Sequence, residues 1–146
     1  MKLKQLSLFL ENKPGAISRP VRALARANIN ILTLSIAEAN QFGILRLIVR
    51  DWEMVKKLLE REGFVVRVTD VVAVEVADRP GGLAEILEAL EQARINVDFM
   101  YAFTEKRVNR GVLVFRFDNP DEAIRVLQER GINVVSSVDW LQQKES

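Results

Sequence analysis

Hydrophobic residues recur with two different periods along the chain, and these periods predict its strands and helices. A period of two predicts a strand, and spacings of three and four predict a helix. In the first half, alternating runs predict strands at 3–10, 30–37, 44–50 and 64–68. Helical spacing predicts one helix after Pro14-Gly15 that ends near Asn28, and a second that starts at Asp51 and ends at Gly63. The first half therefore has the order βαββαβ.

The second half repeats this order, with Pro80-Gly81 answering Pro14-Gly15 and Ile95-Asn96-Val97 answering Ile29-Asn30-Ile31. A self-match of this length indicates a duplicated unit of roughly 70 residues. Its strands are predicted at 71–76, 97–103, 112–117 and 132–138. Its helices are predicted at 83–93 and from Asn119 to Gly131, with a turn at 106–109 that carries two extra residues.

The predicted fold class is α+β, with two ferredoxin-like βαββαβ repeats side by side at residues 1–70 and 71–146. Right-handed crossovers should place the helices on one face of a continuous antiparallel sheet. Pro20 lacks an N–H group, so the first helix should begin only a residue or two before it.

Composition excludes several kinds of chemistry. The chain has no Cys and no His, so disulfides, thiolate or imidazole metal sites and His-based catalytic triads are excluded. The net charge of +1 gives no field for nucleic acid or a membrane surface. The alternating run at 6–10 is short, so a signal peptide is not expected. No apolar run approaches the ~18 residues of a membrane span. We therefore expect a cytoplasmic protein without a cofactor.

The repeated turn resembles that of the ACT domain, a small ligand-binding regulatory module. The features that carry the resemblance are Asn12-Lys13-Pro14-Gly15 or Asp78-Arg79-Pro80-Gly81 before a helix, the later Asn30 or Asn96, and the βαββαβ order. Two copies fill nearly the whole chain, which is similar to a stand-alone tandem ACT protein. The resemblance implies a regulatory protein that binds a small effector, most often an amino acid, between its two copies.

The resemblance also implies which residues contact the effector. A turn from one copy and an Asn from the other are expected to form each site. Independently of the family, a helix N-terminus and a turn glycine suit a carboxylate, and Asp78 suits an ammonium group. The candidate ligand-binding residues are Asn12, Lys13, Pro14, Gly15, Ala16, Ile17, Asn30, Asp78, Arg79, Gly81, Gly82, Leu83 and Asn96.

Plainer interpretations of the same residues stay open. The two Pro-Gly pairs also suit an ordinary strand-to-helix turn. Asn30 and Asn96 also suit a tight conformation at a helix exit. The cationic side chains in these regions are expected to be solvated surface charges rather than ligand contacts. These cations are Lys13, Arg19, Arg79 and Arg94.

Three aromatic residues predict a contact between subunits. In the predicted register Phe99, Tyr101 and Phe103 face away from the helices, at the places where the first repeat has Thr33, Ser35 and Ala37. The same register puts Leu32, Leu34 and Ile36 on one face of the second strand and Ile31 on the other. An open face with three aromatics favours a homodimer, whereas a register shift of one residue would put them in the core.

The sequence gives little support to an enzyme or to RNA binding, whereas assembly without a ligand stays open. No close pair of carboxylates shares a predicted pocket, so an enzyme is not predicted. The stretch 110–117 is faintly similar to the RNA-recognition signature, but Val112 and Val114 occupy the base-stacking positions and valine cannot stack. The remaining alternative is an assembly module that binds no small molecule. If the protein is regulatory, its partner is expected to be a metabolic enzyme or pathway.

Overall fold

The computed structural model describes residues 1–103 and 110–138, and these residues form six strands and four helices. In chain order they are β1 Leu3–Glu11, α1 Ser18–Arg26, β2 Ile31–Ala39, β3 Phe42–Val49, α2 Trp52–Arg61, β4 Val66–Ala77, α3 Gly82–Gln92, β5 Val97–Ala102, β6 Arg110–Phe117 and α4 Pro120–Glu129. The α+β class and the two βαββαβ-like repeats are confirmed. The predicted turn at 106–109 lies outside the described residues.

The first of two compact units is formed by Lys4–Thr69. Its strand order is β2-β3-β1-β4, and both β1 and β2 pair antiparallel with β3. One face of these strands packs against α1 and α2 in a core built mostly of leucine. The fully or nearly fully buried side chains of this core are Leu6, Leu8, Leu10, Ala16, Leu24, Leu45, Leu47, Val49, Val55 and Leu59.

The second unit is formed by Met1–Leu3 and the residues from Asp70 on. Its strand order is β4-β6-β5, and β6 pairs antiparallel with both neighbours. Its own core lies under α3 and α4 and contains the stacked pair Phe115 and Phe117, whose ring centroids are 5.2 Å apart. Each repeat therefore buries its own apolar residues.

Two predicted strands are a single strand in the structure. The sequence predicts strands at 64–68 and 71–76, but β4 runs without interruption from Val66 to Ala77. Thr69 and Asp70 separate the two apolar runs, yet neither is a Gly or a Pro that would end a strand. The strand therefore continues through them, and β4 contributes residues to both units.

The predicted last strand, 132–138, is only an isolated bridge between Val134 and Val74. Two backbone hydrogen bonds flank that bridge. Glu75 N–H donates to Asn133 O at 2.9 Å, and Val135 N–H donates to Ala73 O at 2.8 Å. The prediction located this pairing correctly but was wrong about its length.

A β-bulge corrects the predicted faces of β2. The register shifts between Ile31 and Thr33, so Ile31 packs against the core although the uninterrupted alternation put it on the other face. Beyond the bulge the predicted face is confirmed, because Leu34 and Ile36 pair with the core residues Leu47 and Leu45, but both side chains are exposed. A bulge adds one residue to a strand, so the side chains before and after it no longer follow one alternation of faces. A period of two alone does not predict this shift.

Beyond a β-bulge between Val97 and Phe99, the predicted faces of β5 are confirmed. Met100 packs against the core, and its neighbours Phe99 and Tyr101 therefore lie on the other face. The two rings stack there with centroids 6.3 Å apart and planes at 13°. Phe103 is half-buried and its N–H donates to Val112 O at 2.7 Å.

The helix ends follow the sequence signals with one exception. Helix α1 begins at Ser18, two residues before Pro20, as predicted. Asn119 caps α4, its side chain accepting a hydrogen bond from Glu122 N–H at 3.3 Å. Asp51 occupies the cap position of α2 but makes no capping hydrogen bond through its side chain. None of the helices in the described part of the chain is long and apolar enough to cross a membrane.

Candidate functional site

The turn between β1 and α1 has the shape that its sequence predicts. Gly15 has φ +86°, a left-handed conformation that favours glycine. Ala16 N–H donates to Lys13 O at 3.2 Å, and Arg19 N–H donates to Gly15 O at 3.3 Å. The hydroxyl of Ser18 also donates to Gly15 O, at 3.0 Å. These contacts hold the first turn in one conformation at the N-terminus of α1.

A cavity of about 420 Å³ opens beside this turn. The volume lies in the range of about 300–1,000 Å³ that small-molecule sites occupy. Its walls come from the end of β1, the turn, the first half of α1 and the start of the segment before β4. The lining residues are Phe9, Leu10, Glu11, Lys13, Pro14, Gly15, Ala16, Arg19, Arg22, Gly63, Phe64 and Val65.

Four of the candidate residues of the first repeat line this cavity, and three do not. Lys13, Pro14, Gly15 and Ala16 are in its wall. The side-chain N–H of Asn12 instead donates to Asn40 O at 3.4 Å. Ile17 is the exposed residue before α1, and Asn30 is exposed beyond the other end of that helix. The structure therefore brings together the centre of the predicted turn but not its flanks.

The charges around the cavity are predominantly positive. Lys13 pairs with Glu11 at 2.7 Å, and this hydrogen bond, helped by Arg19, lowers the pKa of the Glu11 carboxyl below its usual value. Arg19 and Arg22 add two further positive charges to the same wall. An anionic ligand group would therefore meet a net positive surface.

An aromatic floor supports one of these arginines. The guanidinium carbon of Arg19 lies 5.2 Å from the centre of the Phe64 ring, within the range of a cation–π contact. Phe64 follows Gly63, which has φ +92° after α2. The residue that holds Arg19 in the wall thus comes from a segment far from the turn in sequence.

Arg19, Arg22 and Phe64 line the cavity, although none of them is among the predicted ligand-binding residues. Arg19 was expected to be a solvated surface charge, and it is exposed, but it also lines the cavity. The available signal was the spacing of Arg19, Arg22 and Arg26, which puts three cations on one face over about two helix turns.

The second turn has the same backbone but different side-chain contacts. Gly81 has φ +87°. Arg79 folds over the turn, with one guanidinium nitrogen 2.7 Å from Glu85 and another 3.3 Å from Pro80 O. Gly82 is buried, and a Cβ there would lie 2.1 Å from Ala77 O, so no side chain fits. Asp78 and Leu83 are exposed. Arg79, the cation of this turn, is paired with Glu85 of α3.

Asn96, the residue before β5, makes two hydrogen bonds. Its backbone N–H donates to Asp118 Oδ1 at 3.0 Å, and its side-chain N–H donates to Asp98 Oδ1 at 3.0 Å. Neither Asn96 nor Asn30 has the left-handed conformation that was considered for a helix exit. That conformation belongs to Asn28, φ 57°, and Arg94, φ 58°, each two residues earlier. The helix-exit interpretation was therefore wrong about which residues adopt it.

A family described as an ACT domain pair matches residues 1–143 of the chain. Among proteins of known structure, protein BT0572 from Bacteroides thetaiotaomicron is 38% identical, with a TM-score of 0.90 and 98% of each chain covered. The fold and the tandem arrangement therefore match over almost the full length.

Two further relatives carry functional names. The acetolactate synthase small subunit of Buchnera aphidicola subsp. Baizongia pistaciae is 27% identical over 139 residues, covering 91% of this chain and 81% of the relative. The regulatory subunit of aspartate kinase from Thermus thermophilus, in a ligand-free form, is 15% identical with a TM-score of 0.65, covering 86% of this chain and 91% of that one. At that identity the Thermus protein is evidence for the fold alone.

Proposed function

Since the chain belongs to the ACT domain pair family, we propose that it is a regulatory protein that binds a free amino acid at its first turn. The observation that carries this proposal is the cavity beside Gly15, which combines a helix N-terminus with the guanidinium groups of Arg19 and Arg22. A carboxylate is stabilised both at a helix N-terminus and by a guanidinium fork. The apolar walls formed by Phe9 and Phe64 suit the side chain of the ligand.

The Buchnera relative supports a regulatory rather than a catalytic role. It is named as the small subunit of an enzyme. By analogy, the protein acts on a metabolic enzyme through a ligand-dependent change in its own assembly or in its partner contact. Such a change requires that the ligand binds the two states with different affinity.

Thermal unfolding against the common amino acids tests this proposal. At a ligand concentration about 100-fold above Kd, the free energy of unfolding should rise by about 2.7 kcal/mol, which raises Tm by roughly 5–10 °C. A panel without any shift would contradict the proposal and favour the assembly module.

A pair of matched variants locates the ligand. Arg19→Gln removes the guanidinium and should weaken binding by about 1.5–3 kcal/mol, or roughly ten- to hundredfold in Kd. Its control is Glu85→Gln, at the corresponding position of the second repeat, which should leave Kd within about twofold. If the two variants have equal effects, the ligand does not lie at the first turn.

A further inference from the structure

The charges of α1 are unfavourable for the helix itself. Arg19, Arg22 and Arg26 are its only charged residues, and their spacing puts them on one face. Like charges at this spacing repel each other. Arg19 and Arg22 also lie in the N-terminal half, where the positive end of the helix dipole disfavours cations. A bound anion on this face would offset both costs.

The same face is part of a groove that extends beyond the first-turn cavity. A neighbouring cavity of about 180 Å³ is lined by Arg19, Arg22, Arg26, Glu62 and Phe64. It shares two of the arginines and Phe64 with the larger cavity. Along a helix, seven residues span about 10 Å, so the three guanidinium groups follow the groove over a length greater than one carboxylate needs.

Positive charges outnumber negative charges in this groove. Glu62 is the carboxylate that lines the smaller cavity. Glu11 is already paired with Lys13. A neutral amino acid carries one carboxylate and one ammonium group, so it would leave this excess of positive charge in place. By contrast, the cavity along α2 contains Glu53, Lys56, Lys57 and Glu60, whose charges balance.

The basic face is not a general feature of the repeat. Helix α3 occupies the corresponding place in the second repeat, and Glu85 and Glu88 stand where α1 has Arg19 and Arg22. Both helices keep a buried apolar face toward their own core. Packing is therefore compatible with a positive or a negative side chain at these positions, so it does not explain the arginines.

We infer that the groove along α1 binds an amino acid that carries a second anionic group, a carboxylate or a phosphate. The inference rests on the proposed function and narrows its ligand class. Arg19 and the turn hold the α-carboxylate, and Arg22 and Arg26 hold the second anion. Guanidinium groups suit both kinds of anion because their planar fork donates two parallel hydrogen bonds to carboxylate or phosphate oxygens.

Matched ligand pairs test the second anion directly. Calorimetry would compare aspartate with asparagine, glutamate with glutamine, and phosphoserine with serine. In at least one pair the anionic member should bind about tenfold tighter or more. The first two pairs report a carboxylate and the third reports a phosphate. Equal affinity in all three pairs would overturn the inference.

Arg26→Gln tests which residue holds that anion. Arginine and glutamine have similar helix propensities, so the fold should be unaffected. The variant should raise the Kd of the anionic ligand about tenfold and change the Kd of the neutral member of the pair by less than about twofold. The control is Lys57→Gln, which removes one exposed positive charge from α2 in the same unit and should change neither Kd.

The outcomes separate this inference from the proposed function. If a neutral amino acid binds and Arg26→Gln has no effect on any ligand, the proposed function stands and the inference fails. If Arg26→Gln and Lys57→Gln weaken binding equally, the effect comes from net charge and the inference also fails. If no amino acid of either kind binds, both fail.

Discussion

The two strand-to-helix turns have the same backbone and opposite electrostatics. Gly15 and Gly81 differ by only one degree in φ, at 86° and 87°. Around the first turn, Arg19 and Arg22 face a cavity, whereas around the second, Glu85 binds Arg79. The comparison teaches that duplication preserved the geometry of the turn while the charges of the following helix diverged.

The largest expected effect concerns the residue after each turn glycine. Gly82 has no room for a Cβ, whereas the first repeat has a buried Ala16 at that place. Gly82→Ala should force Ala77 O to move and cost about 3 kcal/mol. Ala16→Gly should cost only about 0.5–1 kcal/mol, mostly through the unfolded chain. Urea unfolding of both variants measures the difference, and similar costs would mean that the two turns are interchangeable.

The second prediction contrasts β5 with β2. Phe99 and Tyr101 stand where β2 has Thr33 and Ser35, and we propose that their face joins two copies of the chain. Losing an interface aromatic costs about 2 kcal/mol, or roughly thirtyfold in the dimer Kd. Sedimentation at low micromolar concentration should show a dimer that Phe99→Asp weakens.

A control for this prediction lies on the same strand. Ala102 is exposed and pairs with Leu113, on the other face from Phe99. Ala102→Asp adds the same charge and should leave the dimer intact. A monomeric wild-type protein, or equal weakening by both variants, would contradict the aromatic interface.

The third prediction compares the two asparagines. Both asparagines are exposed, and the side chain of Asn96 donates a hydrogen bond to Asp98. Asn96→Ala should reduce the free energy of unfolding by about 1 kcal/mol, and Asn30→Ala should stay within about 0.5 kcal/mol. Calorimetry on the same variants shows whether either amide contacts the ligand. Equal stability of the two variants would mean that the Asp98 contact contributes nothing.

The smallest effect is expected from pH. The hydrogen bond from Lys13 lowers the pKa of Glu11, whereas the second repeat has Ala77 at that place. A carboxyl with a lowered pKa stabilises the folded state above its unfolded pKa, and this contribution is lost as the pH falls through the folded pKa. NMR titration should find Glu11 below its usual value of 4.5, and Lys13→Ala should bring it back. An unchanged pKa in that variant would show that Lys13 is not its cause.

Much of the fold was predictable because period-two and helical patterns are strong in both repeats. The pattern found the four helices, and it put Phe99 and Tyr101 on the correct face of β5. It failed where backbone pairing depends on neighbours rather than on local sequence. The bulge after Ile31 and the short pairing of Val134 have no local signature.

The candidate site was predictable only at its centre. Pro14 and Gly15 were found because a turn between a strand and a helix has a residue signature. Arg19 and Phe64 were missed because they meet only after α2 brings the segment at Gly63 beside α1. In the sequence alone, Arg19 resembles any solvated surface charge. Its contact with the Phe64 ring distinguishes it in the structure. The expectation that an Asn of the other repeat completes the site stays a prediction.

The bulges of β2 and β5 indicate that the two repeats descend from one ancestral repeat. One lies between Ile31 and Thr33 and the other between Val97 and Phe99, which are corresponding positions of the two repeats. An extra residue in a ladder is not needed to form a strand, so two independent origins at one position would be a coincidence. The simplest history is that a single ancestral repeat already had the bulge when its gene was copied. The arginines of α1 and the glutamates of α3 then record what changed afterwards.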